Sequence, residues 1–348
     1  MKNSAVKRII VRLIMTPVAL IAAVSVITGR VNSSGGEPAT RVFELTYKAT
    51  VRDAPAGAKR LNLWLPYPVS DANQEIADVQ ISSSAKATVY AEPKYGNAVL
   101  FITLENPGGS QIDVELKIKV RRTEYLRKDF ARFNRSASSP LDPAVAEFLK
   151  PDKLVPIEGK IKDWALQVTK GKKTDLEKAR AIYDYTLATM KYDKSGQGWG
   201  RGDIYYACDA KRGNCTDFHA VFIGFCRALG IPARFAIGFP LPDKRGEGEI
   251  AGYHCWAEFY LRGYGWIPVD ASEASKHPEK ADYFFGAHDE NRVQVSWGRD
   301  ITLRPRQHSG PLNYFVYPLA EADGKSFDGV KREIRFKDLS SEDFAKAF

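Results

Sequence analysis

The sequence predicts an α+β chain, with a β-sandwich over residues 39–122 and then a core over 123–310 in which helices pack on an antiparallel sheet. Three observations predict it. Period-two apolar runs fill the first third, helical stripes with capping signals follow residue 140, and a long apolar helix pattern from residue 215 leads into a strand and a hairpin. The 348 residues suffice for two cores, and 44% apolar with 27% charged residues is an ordinary globular balance.

Residues 1–38 read as an export segment. Lys2, Lys7, Arg8 and Arg12 precede the uncharged run LIMTPVALIAAVSVIT, and a polar linker, GRVNSSGGEPATR, follows. A cleaved signal with a weak small-residue site at Val31-Asn32-Ser33 is one expectation; an uncleaved membrane anchor is the other, although the run is short for a span and Pro17 interrupts it. Either way a periplasmic or secreted location is expected for the rest.

The sandwich strands follow from alternation. VFELTYKATV places Phe43, Leu45, Tyr47, Ala49 and Val51 on one face, LNLWL does the same for Leu61, Leu63 and Leu65, and IDVELKIKV for Ile112, Val114, Leu116, Ile118 and Val120. One buried and one wet face, with Pro, Gly, Asn and Ser between the runs, is a sandwich pattern.

Asp142-Pro143 opens a short helix with Val145, Phe148 and Leu149 inward. IEGKIKDWALQVTK has rougher helical spacing, with Ile157, Ile161, Trp164, Leu166 and Val168 apolar. Thr174 and Glu177 form a capping box for a helix that stripes Leu176, Ala179, Tyr183, Leu187 and Met190. The glycine-rich run SGQGWGRGD over 195–203 has neither the preceding strand nor the following Lys-Ser/Thr of a phosphate loop, so a mobile loop near the site is expected. Asp203 and Asp209 fit no calcium-loop spacing.

A helix is expected from Cys215 to Leu229, with Phe218, Val221, Phe222, Phe225 and Leu229 inward, Asp217 in its first turn, Arg227 in its last and Gly230 as its stop. IPARFAIGF, YHCWAEFYL and WIPVDAS then read as strands, the last two joined through RGYG; RVQVSW and LNYFVYPL read as further strand-like pieces. Residues 311–348 are expected to form a C-terminal strand and tail.

The net charge of +9 is spread along the chain without a run of five basic residues, which argues against nucleic-acid binding. The four cysteines, Cys208, Cys215, Cys226 and Cys255, contain no C-x-x-C pair, so no structural zinc is expected.

Cys215 stands where a helix dipole and unpaired amides stabilise a thiolate. Acyl transfer then needs a histidine that takes and returns a proton, and a group that holds its second nitrogen. Two histidines compete. His219 lies four residues on along the same helix; His254 begins a strand whose hairpin partner leads to Asp270. His254 is favoured, because Asp270 completes a Cys-His-Asp set, whereas His219 has no such carboxylate nearby except Asp217, which points elsewhere on the helix, and is expected as helix side wall. A two-residue loop at Gly263-Tyr264 gives the wrong parity for His254 and Asp270 to lie opposite each other, so a bulge, with Pro268 a reasonable place, or an odd-length loop is required.

GNCTDFHAVFIGFCRALGIPARFAIGF followed by HCWAEFYLRGYGWIPVDAS, with TDLEKARAIYDYTLATMKYD before them, resembles the core of the bacterial transglutaminase-like superfamily over about residues 140–300. The resemblance implies a papain-like core: Cys215 as nucleophile, His254 as general acid and base, Asp270 as the orienting group, and the Cys215 amide as one oxyanion donor. Tyr206 and Trp199 are candidates for the second donor, more as wall residues than as donors; Trp256 and Trp266 are expected as core or cleft wall. Cys255 and Ala271 depart from the family's usual alanine and proline. The implied activity is a transglutaminase-like acyltransferase or cysteine peptidase or amidase, with a protein or peptide substrate, or a cell-envelope polymer, and no cofactor or metal. No nucleic acid is expected as a partner, the membrane only through an uncleaved anchor, and no oligomeric state is assigned. A catalytically silent envelope-binding module on the same fold is the alternative.

Overall fold

The computed structural model describes residues 37–109, 111–127, 129–133 and 140–346, so the expected export segment lies, but for its last two residues, outside the described chain. Among the described residues no helix is long and apolar enough to cross a membrane.

Six strands come first: β1 (Thr40–Val51), β2 (Arg60–Tyr67), β3 (Gln74–Ser83), β4 (Ala87–Ala91), β5 (Ala98–Glu105) and β6 (Ile112–Thr123), with a short β7 (Tyr125–Leu126) behind them. The middle of the chain carries α1 (Pro143–Ala146), α2 (Lys160–Val168), α3 (Asp175–Thr189), β8 (Lys191–Tyr192), α4 (Ile204–Ala210), β9 (Arg212–Gly213) and α5 (Cys215–Ala228). Next come β10 (Ala233–Pro240), β11 (Glu247–Glu249), β12 (His254–Leu261), β13 (Gly265–Val269) and α6 (Ala271–Lys276). The chain ends with β14 (Ala287–His288), β15 (Arg292–Trp297), β16 (Leu319–Ala322), β17 (Lys325–Ser326), β18 (Val330–Asp338) and α7 (Ser341–Ala345).

Two five-stranded antiparallel sheets, ordered β11-β18-β1-β6-β3 and β17-β16-β2-β5-β4, make the strand-rich part. Ala49, Val51, Ile112 and Val114 of the first share an apolar layer with Leu61, Leu63, Leu65, Leu100 and Ile102 of the second. The alternation in the sequence is the cause: each strand has one face to bury.

The first two sheets are not built from residues 39–122 alone. β16 pairs with β2, and β18 pairs with β1 along nine residues, so the segment expected as a C-terminal strand and tail completes the first two sheets. LNYFVYPL is largely irregular rather than a strand; within it Leu312 makes an isolated bridge to Ile301.

The same face of β1 also reaches the second part of the molecule. Phe43, Leu45 and Tyr47 join the core that surrounds α5, and the Tyr47 ring meets Phe239 edge-on. Every residue of α5 is buried, so the helix is central rather than amphipathic. α2, α3 and α4 lie around it, and the antiparallel sheet β13-β12-β10-β15 covers another side. α3 starts in the Thr174–Glu177 capping box and buries Leu176, Ala179, Ile182, Tyr183 and Thr186. In α2, Ile161 and Ala165 face inward, whereas Leu166 is 54% exposed and does not share their stripe.

Candidate active site

Cys215 is the first residue of α5. Asn214 caps the helix, its Oδ1 accepting from the Thr216 amide at 2.9 Å, and the Asp217 carboxylate reaches back to the Asn214 amide at 2.9 Å. This reciprocal cap satisfies two amides and leaves the positive end of the helix facing the thiol. Gly213 permits the close approach: a Cβ there would fall 2.1 Å from Asp217 Oδ2.

His254 opens β12, and Asp270 is the residue before α6, its Oδ1 accepting from the Glu273 amide at 3.0 Å. The β12–β13 hairpin closes with the odd, three-residue loop Arg262–Tyr264; Pro268 sits in the regular ladder opposite Glu258, and no bulge is needed. His254 Nε2 lies 2.7 Å from Asp270 Oδ2, and the imidazole and the Cys215 thiol each favour the charged form of the other. With Nε2 committed to the carboxylate, Nδ1 is the nitrogen left for the thiol. The three residues singled out in the sequence therefore meet in one buried cluster.

Arg292 is a fourth member that the sequence reading missed. Its Nη1 donates to Asp270 Oδ2 at 3.0 Å, and its other donors hold Asp289 at 2.9 and 3.2 Å, while the guanidinium lies 4.8 Å from the Trp256 ring centroid. The strand RVQVSW showed only alternation, and an arginine at a strand start carries no signal of its own.

The charges are mutually arranged. Burial alone would raise the Asp270 carboxyl, but the His254 charge and hydrogen bond, with Arg292 behind, hold it well below the carboxylate range. Burial opposes charge on His254 too, yet Asp270 and Cys215 lift the imidazole to about 10. For Cys215 burial again acts upward; hydrogen bonds from Cys255 and His254, and the His254 charge, outweigh it and draw the thiol well below its ordinary value. Both shifts act in the direction of a thiolate beside an imidazolium.

His219 is not a helix side wall remote from carboxylates. Its Nε2 accepts from the Ala271 amide at 3.2 Å and stands 3.7 Å from Asp270 Oδ1. Because Nε2 accepts, the ring proton of the neutral form lies on Nδ1, 3.7 Å from Cys255 Sγ. Burial lowers this imidazole despite the nearby Asp270, so it is a neutral strut behind the carboxylate.

The glycine-rich loop is tied down rather than loose. The Gly200 and Gly202 amides donate to Asp217 at 2.6 and 3.0 Å, and Arg299 donates to the Gly202 and Arg201 carbonyls at 2.8 Å each. Trp199 Nε1 donates to the Gly196 carbonyl at 3.2 Å, so that group is occupied. The Tyr206 hydroxyl is buried without a protein partner among the described residues. Trp256 is wholly buried core, and Trp266 stacks on Arg234.

The family model of the transglutaminase-like superfamily matches residues 162–271, a span that ends one residue past Asp270 and includes all three clustered residues. An uncharacterized protein of Haemophilus influenzae is 30% identical over 340 residues, covering 86% of this chain and 90% of its own length. The chain belongs to the transglutaminase-like superfamily. A crystal structure of a candidate cysteine protease from Cytophaga hutchinsonii has this transglutaminase-like fold as well, with a TM-score of 0.62 at 15% identity, covering 88% of this chain and 93% of that one. The periplasmic domain of TgpA from Pseudomonas aeruginosa matches with a TM-score of 0.34 at 16% identity, covering 72% of this chain and 93% of that domain. Members of the transglutaminase-like superfamily are cysteine peptidases and acyltransferases.

Proposed function

We propose that this chain is an exported cysteine enzyme that forms a thioester on Cys215 from a carboxamide or peptide carbonyl. The observation that carries the reading is the buried 2.7 Å contact between His254 and Asp270, with Cys215 at the start of α5 drawn toward its thiolate by the His254 charge. The export pattern at the N-terminus supports a location outside the cytoplasmic membrane.

The chemistry follows from the charges. The Cys215 thiolate attacks the carbonyl carbon, and the carbonyl π pair moves to oxygen. In this reading the Cys215 amide, at the helix start, donates to that oxyanion. When the tetrahedral adduct collapses, the carbon–nitrogen bond breaks and the His254 imidazolium gives its proton to the departing amine. The neutral imidazole then takes a proton from water or from a second amine, which attacks the thioester and releases the thiolate. Asp270 keeps the imidazole oriented throughout, and Arg292 keeps Asp270 ionised.

The test is incubation of the protein with a glutamine-containing peptide and a labelled primary amine, followed by mass spectrometry. The expected result is an acylated Cys215 peptide together with amine-linked or hydrolysed product, both lost in Cys215→Ala. Neither adduct nor product over a broad peptide panel, with an unreactive Cys215, is the result expected of a silent binding module.

A further inference from the structure

We propose that Tyr253 is a positioning residue whose hydroxyl clamps both neighbours of Cys215 to the segment that carries His254. The inference rests on the acyl-transfer reading of Cys215 and His254 and adds to it a residue that the Cys-His-Asp set does not include.

Asn214 and Thr216 flank the nucleophile, and both converge on one phenol oxygen. Asn214 Nδ2 donates to the Tyr253 hydroxyl at 2.9 Å, and Thr216 Oγ1 shares a hydrogen bond with it at 3.0 Å. Asn214 is meanwhile fixed by its own cap to the Thr216 amide. The hydroxyl at which these bonds meet belongs to the residue immediately before His254. One peptide unit therefore separates the base from a tie that grips the chain on either side of the thiol.

The Asp270 bond orients His254 from behind but does not set its distance from the helix start. The other links between the His254 strand and the start of α5 run through the Cys255 thiol, to Cys215, to Thr216 Oγ1 and to His219 Nδ1, and thiols make weak hydrogen bonds. Proton exchange between thiol and imidazole is steep in distance, and a displacement of about 1 Å costs on the order of 10²-fold. A rigid phenol suits the task. Burial, then the Cys215 charge, keep its hydroxyl protonated far into the alkaline range, so the tie persists across working pH.

The ring is also held by its faces and edges, besides a 3.5 Å contact from the Tyr314 hydroxyl to its own. Tyr314 and Tyr317 contact it at centroid distances of 5.5 and 6.0 Å. Tyr253→Phe therefore removes the tie and leaves the aromatic cluster.

The experiment measures alkylation of Cys215 by iodoacetamide in the full chain from pH 4 to pH 10, read on the Cys215 peptide by mass spectrometry. The expected result for Tyr253→Phe is a thiol titration displaced toward that of an ordinary thiol, with labelling at pH 6 slowed about tenfold or more and the thermal transition retained. Thr216→Val should move the titration the same way. The double variant should fall well short of the sum of the two, because both changes release one tie. A Tyr253→Phe profile that superimposes on the wild type overturns the clamp alone. A wild-type Cys215 that titrates like an ordinary thiol overturns the acyl-transfer reading and the clamp with it.

Discussion

His254 and Asp270 touch at 2.7 Å although they are not cross-strand partners. The β12–β13 ladder runs from Leu261 opposite Gly265 to Ala257 opposite Val269. Continuing that register places Asp270 beside Trp256, one diagonal step from His254 and on the same face. The odd-length loop secures the face, and the end of the ladder frees Asp270 to turn into α6. The carboxylate thus serves two structures, capping a helix through Oδ1 and holding the imidazole through Oδ2.

This double duty makes Asp270→Asn informative. An amide keeps the shape and the cap but carries no charge to hold the imidazolium. Turnover should fall by about 10⁴-fold, as when an orienting carboxylate is neutralised in a hydrolase triad. Stability should drop by only about 2 kcal/mol, since Arg292 retains Asp289. Turnover within tenfold of the wild type would contradict the assignment.

The pH dependence of activity should be a bell with a wide top. Cys215 ionises well below an ordinary thiol, so the acid limb lies on the acid side of the usual thiol range. His254 holds its proton to about 10, so the alkaline limb follows its loss there. The sign follows from the active form: it exists above the Cys215 value and below the His254 value. A small probe is needed for parallel thiol labelling, because Cys215 is 2% exposed. A single rising limb near the ordinary thiol range would show that no ion pair forms.

Much of this was legible in the sequence, for physical reasons that also set the limits. Strict alternation in VFELTYKATV can be read because one face of β1 must be buried: Phe43, Leu45, Tyr47, Ala49 and Val51 are buried, and Val42 alone joins them from the other face, under Phe344. Cys215, His254 and Asp270 could be found because each sits at a boundary with its own signal: a helix start, a strand start and a hairpin end. Arg292, Tyr253 and the role of His219 were not legible, since each acts through a contact between segments distant in sequence. The return of β16 and β18 to the first sheets was hidden for the same reason. Leu166 misled because an apolar residue in a rough helical pattern need not lie on the buried stripe.

Gly238 stands opposite His254 in β10, where the pairing with β15 shifts register. A Cβ at this position would lie 1.8 Å from the Val293 carbonyl oxygen, which is backbone and cannot rotate away. Gly238→Ala should therefore displace β15 and with it Arg292, the residue that steadies Asp270. The expected cost is about 3 kcal/mol or more, read as a lowered denaturation midpoint, with Cys215 labelling at acid pH reduced in the surviving folded fraction. An unchanged midpoint would mean that the two strands separate at no cost.

Asp217→Asn tests the loop rather than the thiol. Burial pushes this carboxyl up, while the amides of Gly200, Asn214 and Gly202 pull it back by donating to it. An asparagine offers one acceptor oxygen and turns an NH₂ group toward the remaining donors, leaving at least one buried amide unsatisfied at about 1–3 kcal/mol. That penalty falls on the attachment of residues 195–203 to the start of α5. Native-state trypsin cleavage at Arg201 should accelerate about tenfold, the equivalent of about 1.4 kcal/mol in local opening. The Cys215 titration should stay low or move lower, because the lost charge was negative and lay close to the thiolate. Faster cleavage with an acid-reactive thiol separates anchoring of the loop from activation of the nucleophile; unchanged cleavage would show that the Arg299 contacts hold the loop without Asp217.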